Sequence, residues 1–91
     1  MMRITACAKG RVQGVGYRYF VTDCARETGV SGFVKNMTDG SVTIVAEGSD
    51  AALDQFVRMV QTHGDAATSV DRLEVTRSKS TGEFSGFGIR F

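Results

Sequence analysis

The sequence of 91 residues contains no proline, only two cysteines and a single histidine. Each scarcity excludes something. Two cysteines, Cys7 and Cys24, are too few for a cysteine-ligated iron–sulfur cluster or a four-cysteine zinc site, and their spacing fits no familiar metal motif. The lone histidine, His63, stands beside Gly64 where a helix is expected to end. That position suits a solvent-facing cation better than a catalytic group. The net charge is only +1, without the basic excess that nucleic-acid binding leaves on a sequence. No apolar run approaches the ~18 residues that a membrane helix requires. Met1–Thr5 enters an alternating pattern directly, without the apolar stretch of a signal peptide, so a cytoplasmic location is expected. There is no internal repeat, low-complexity tract or linker, and the length fits one domain over residues 1–91.

What remains is an ordinary globular composition, 42% hydrophobic and 23% charged, punctuated by glycine in place of proline. Ile4, Ala6 and Ala8 alternate with Thr5, Cys7 and Lys9, which predicts a first strand over about 3–12. After Gly10, Gly14 and Gly16 the period changes. Tyr17, Phe20, Val21, Cys24, Ala25 and Thr28 follow helical spacing, and Gly29 is the stop signal, giving a helix over about 18–28. A second strand is expected over 30–37, with Gly32 its weak point, then a hairpin turn at Asp39-Gly40 and a third strand over 41–47. Ser49 or Asp50 can cap a second helix whose stripe is Leu53, Phe56, Val57 and Val60, ended by Gly64. A fourth strand over 69–78 should turn Leu73 and Val75 inward, and Phe87, Ile89 and Phe91 alternate in a short last strand. Phe20, Phe56, Phe87 and Phe91 are expected in the core.

Each helix carries one apolar stripe, so both should cover the same face of one sheet. The expected fold is α+β, a ferredoxin-like βαββαβ sandwich with a mainly antiparallel sheet and a short C-terminal strand. A right-handed crossover makes strands one and two parallel, with strand three between them. The turn over 10–17 and the hairpin over 36–40 then lie at one edge of the sheet. Asn36 shares parity with Val34 on the helix-facing side, so its amide should point toward the start of the first helix, where Arg18 stands. The same parity puts Cys7 on the open face and Cys24 beneath the helix. A sheet separates them, and both are expected as free thiols.

The segment Gly10-Arg11-Val12-Gln13-Gly14-Val15-Gly16-Tyr17-Arg18 runs from a strand into a helix N-terminus. Successive amides in such a turn form an anion-binding concavity, and the helix start adds unpaired N–H groups and partial positive charge. Arg18 adds a planar fork of donors that suits a phosphate. No aspartate or glutamate stands within the turn to repel an anion. It is neither a Walker loop, since no Gly-Lys-Ser/Thr follows, nor a dinucleotide fingerprint, since its glycine spacing is wrong. For an arbitrary glycine-rich turn, a tight connection with a solvated arginine is the simpler reading.

The same segment, followed by Ala25, by Gly29-Val30-Ser31-Gly32-Phe33-Val34-Lys35-Asn36, by Asp39-Gly40 and by Val42 and Gly48, resembles the acylphosphatase family. The remainder agrees in length, pattern and an aromatic-rich ending. The resemblance implies hydrolysis of the carboxyl–phosphate bond of acyl phosphates. It implies that the amides of Gln13, Gly14, Val15, Gly16, Tyr17 and Arg18, with the Arg18 side chain, bind the phosphate, and that Asn36 orients the attacking water. It implies no metal or cofactor. The expected partner is a small acyl phosphate, with neither nucleic acid nor membrane, and a monomer is expected. The family often has a hydroxyl residue directly after the asparagine; this chain has Met37 there and Thr38 one further on.

Three other readings compete. A non-catalytic phosphate or anion module on the same fold has no use for a water-orienting asparagine. An RNA-binding sheet needs aromatics at the centre of its open face; here that face is expected to show Thr5, Cys7, Lys9, Thr43, Val45 and Glu47, with Phe33 the lone aromatic. The acylphosphatase-like part of carbamoyl-transferring hydrogenase maturation proteins belongs to far longer chains with extra zinc-binding cysteines. Tyr17 is expected to pack rather than to line the acyl side of a substrate, and Asp39 reads as turn chemistry.

Overall fold

The structure, a computed structural model, describes residues 1–13, 16–62 and 69–91. The expected turn residues Gly14 and Val15 lie outside the described residues, as do His63 and Gly64. The elements follow the order β1 (Met2–Arg11), α1 (Tyr17–Thr28), β2 (Ser31–Asn36), β3 (Val42–Gly48), α2 (Asp50–Gln61), β4 (Ser69–Lys79) and β5 (Phe87–Arg90). The sheet order is β4-β1-β3-β2-β5. β3 runs antiparallel to both β1 and β2, so it lies between two parallel strands as expected; β5 joins β2 in parallel at one edge. No described helix is long and apolar enough to cross a membrane.

The core forms where the two helical stripes meet the sheet. Ile4, Ala6 and Ala8 of β1, Val34 of β2 and Val42, Ile44 and Ala46 of β3 all lie at 1% exposure or less, under Val21, Cys24, Leu53, Phe56 and Val60 of the helices. Ser49 caps α2, its hydroxyl accepting from Ala52 N–H at 3.2 Å. Gly29 closes α1, its N–H donating to the Ala25 carbonyl at 2.8 Å. Gly32 proves essential to strand pairing: φ is +143°, and a Cβ there would lie 1.8 Å from the Val45 carbonyl oxygen. Cys7 and Cys24 are both free, and burial pushes the Cys24 thiol up to about 11.

Four expectations about side chains require correction. Val75 faces the helix side, opposite Ala6, yet is 37% exposed, because β4 is an edge strand that the helices only partly cover. Leu73 on the same strand does pack against the core. Phe91 lies past the end of β5 and is 93% exposed, not in the core. Phe33 is not the lone aromatic of the open face. The segment between β4 and β5 lays Phe84 against it, ring centroids 5.9 Å apart, and the Arg90 guanidinium stacks over Phe33 at 3.9 Å. Glu47, expected in the open, is buried beneath that segment. It accepts from the backbone N–H groups of Thr81 (2.9 Å) and Gly82 (3.1 Å) and from Arg3 Nε (2.7 Å), and these donors pull its carboxyl down to about 2.

Candidate active site

The C-terminal end of β1 and that of β2 lie together at one edge, and two loops leave from them. The β1–β4 ladder shifts register between Lys9 and Gly10, bending the strand as it enters the glycine-rich turn. On the other side, the β2–β3 hairpin is tied by Met37 N–H to the Ser41 carbonyl at 2.8 Å and Gly40 N–H to the Met37 carbonyl at 3.2 Å. Asp39 accepts from the hydroxyl (2.6 Å) and the N–H (2.9 Å) of Ser41, which hold its carboxyl below the ordinary range. Its role is that of a turn residue, as expected.

The Gln13 carboxamide joins the two loops. Its Nε2 donates to the carbonyls of Met37 at 2.6 Å and Ser41 at 2.8 Å. The predicted neighbourhood of the turn and the hairpin is therefore present, and a side chain enforces it.

Gly16 is the N-cap of α1, and its φ of +86° lets the chain enter the helix directly from the turn. No side chain caps this N-terminus and no acid stands in its first turn, whereas α2 has both Ser49 and Asp50. The first amides of α1 keep their partial positive charge without an internal anion. Tyr17 anchors the helix start: its ring is 1% exposed and its hydroxyl donates to the Val60 carbonyl of α2 at 2.7 Å. Burial raises its phenol well above the usual value. The packing role expected of Tyr17 is the observed one.

The next residue turns about 100° around the helix, so Arg18 leaves the core. Its guanidinium lies over the Phe91 ring, 5.2 Å from the centroid, and no carboxylate pairs with it among the described residues. A cleft of about 210 Å³ opens here, lined by Val12, Gly16, Tyr17, Arg18 and Tyr19. Asn36 ends β2 opposite Val42, on the face that buries Val34 and Ile44, as its parity predicts. Its Oδ1 is buried and accepts no hydrogen bond among the described residues. A buried acceptor without a donor costs about 1–3 kcal/mol.

An uncapped helix start, an arginine without a carboxylate partner and a buried amide oxygen without a donor, each so among the described residues, are suited to an oxyanion and a water. The acylphosphatase family model matches residues 4–89. The chain belongs to the acylphosphatase family. The acylphosphatase of Thermus thermophilus is 42% identical over 98% of this chain and 99% of its own length. That of Mannheimia succiniciproducens is 46% identical over 88% of each. The crystal structure of the Bacillus subtilis acylphosphatase superposes over the whole of both chains with a TM-score of 0.94 at 40% identity. The chain is accordingly an enzyme of acyl phosphate hydrolysis.

Sequence reasoning singled out neither Tyr19 as part of the cleft nor Phe91 as a neighbour of Arg18. Tyr19 follows Arg18 around the helix and its outward position was readable from the helical period. No sequence signal brings Phe91 to Arg18, because that contact depends on β5 lying next to β2.

Proposed function

We propose that the phosphoryl group of an acyl phosphate sits against the amides of the Gln13–Arg18 turn and the Arg18 guanidinium, with Asn36 holding the attacking water in line. The observation that supports this is the buried Oδ1 of Asn36, without a hydrogen-bond partner among the described residues, at the edge where α1 begins. Gly14 and Val15 enter on the sequence pattern alone.

The chemistry asks for little else. The substrate is a mixed anhydride of a carboxylic acid and phosphoric acid. Its leaving group departs as a carboxylate, stable at neutral pH, so no general acid is required. Water oxygen bonds to phosphorus as the bond from phosphorus to the acyl oxygen breaks, and the carboxylate leaves with the electron pair. The water's proton passes to a phosphoryl oxygen. The transition state for phosphoryl transfer is loose, so positioning and charge stabilisation carry the catalysis. Arg18 and the turn amides stabilise the charge on the equatorial oxygens, and the Asn36 carbonyl accepts one water O–H, aiming a lone pair at phosphorus. No step uses a metal or cofactor. The same reading takes residues 1–91 as one domain acting as a cytoplasmic monomer, on the grounds of size, balanced charge and composition.

Hydrolysis of benzoyl phosphate in the presence of chelator, compared among wild type, Arg18→Ala and Asn36→Ala, tests the assignment. Each variant should stay folded and lose about 10²-fold or more in kcat/KM, as when an oxyanion donor is removed. A folded wild type that binds inorganic phosphate without turnover would instead establish a non-catalytic anion module.

A further inference from the structure

In-line displacement places the entering water and the leaving group on opposite sides of phosphorus. On the proposed reading, the water belongs to the buried Asn36 Oδ1, on the inner side of the site. The acyl group must then leave the phosphoryl pocket on its outer, solvent side. The residue that meets it there follows from helix geometry. Tyr17 points into the core, and a residue two positions later is rotated by about 200°, facing outward. That residue is Tyr19, which is 68% exposed and lines the same cleft as Arg18.

An exposed tyrosine on the rim of a polar anion site has no packing role that accounts for it. Its ring offers a flat apolar face beside the phosphate grip, while its hydroxyl stays in water. We propose that Tyr19 is a specificity residue that contacts the acyl group of the substrate and favours aromatic or extended apolar acyl phosphates over short ones. The inference rests on the site assignment above. Acetyl phosphate and benzoyl phosphate share the phosphoryl end and differ only in the group that Tyr19 would meet. The leaving-group chemistry of each substrate is the same in wild type and in a Tyr19 variant, so a change in their ratio on substitution reports the contact at the rim.

The test is kcat/KM for benzoyl phosphate and for acetyl phosphate in wild type, Tyr19→Ala, Tyr19→Gln and Tyr19→Phe. The competitive inhibition constant of inorganic phosphate is measured for each, and folding is checked by circular dichroism. Loss of one ring contact in Tyr19→Ala and Tyr19→Gln should lower the benzoyl-to-acetyl ratio roughly three- to tenfold. Tyr19→Phe keeps the ring and should stay within about twofold of wild type. Phosphate inhibition should not move in any of the three. An unchanged ratio, an equal fall for both substrates, or a parallel weakening of phosphate inhibition overturns the Tyr19 assignment alone. A wild type that hydrolyses neither substrate overturns the site reading and this proposal with it.

Discussion

Gln13 Nε2 lies 2.6 Å from the carbonyl oxygen of Met37, and this hydrogen bond joins the turn before α1 to the residue that follows Asn36. A second bond from the same nitrogen, to Ser41, makes the link bidentate. The side chain therefore holds the turn before α1 and the strand end bearing Asn36 in one frame.

Gln13→Ala should separate those two loops while leaving the core intact. Replacing it removes two donors to backbone carbonyls, a cost of about 1–2 kcal/mol in stability. The larger effect should fall on kcat, by roughly tenfold, since small misplacements of a positioned group cost much in rate. Thermal unfolding together with steady-state kinetics checks this. A variant with wild-type kcat and lowered stability would reduce Gln13 to a structural tie.

Asn36→Val should make the protein more stable and inactive at once. The Oδ1 of Asn36 is buried without a partner among the described residues, and its neighbours on the helix-facing side are Val34 and Val42. A β-branched side chain suits that surface and removes the orphaned acceptor, for a gain of about 1 kcal/mol. Activity should fall about 10²-fold or more. Urea unfolding that shows the variant less stable than wild type would mean the orphaned oxygen carries no stored cost.

Glu47→Gln should make stability less dependent on acid. The backbone N–H of Thr81, then Arg3 and the N–H of Gly82, pull the Glu47 carboxyl from the ordinary 4.5 to about 2. A depressed carboxylate contributes stability that is full above its unfolded value and is lost as pH falls through its folded value. The contribution of Glu47 is therefore present above about pH 4.5 and disappears toward pH 2. The stability difference between wild type and Glu47→Gln, measured by urea unfolding, should shrink across that window. A difference equal at pH 7 and pH 2 would show that the carboxylate's charge is not what holds the Thr81–Gly82 segment down.

Much of this was legible from residue order. Alternation located the strands to within about a residue, and the 3.6-residue period located α1 and α2. Parity along β2 set Asn36 on the helix-facing side because side chains alternate faces without exception in a regular strand. Crossover handedness then brought the two loops to one edge. Parity failed as a guide to depth. Val75 has the inward orientation of Leu73 yet stands at 37% exposure, since coverage depends on where α2 ends and not on the strand pattern. Parity likewise called Glu47 exposed, before the segment after β4 folded over it.

The sequence by itself determined the elements, their order and the chemical types gathered near the turn: amides, a guanidinium and a carboxamide. Those follow from local rules, because helical and strand periods and glycine's access to positive φ act over a few residues. Only the tertiary structure decided which groups find partners. It left the oxygen of Asn36 without one among the described residues, stacked Arg18 on Phe91, sent Tyr17 into the core with its hydroxyl on Val60, and left Tyr19 at the open rim. Partnership depends on distances between segments remote in sequence, and the packing of the two helices on the sheet sets those distances.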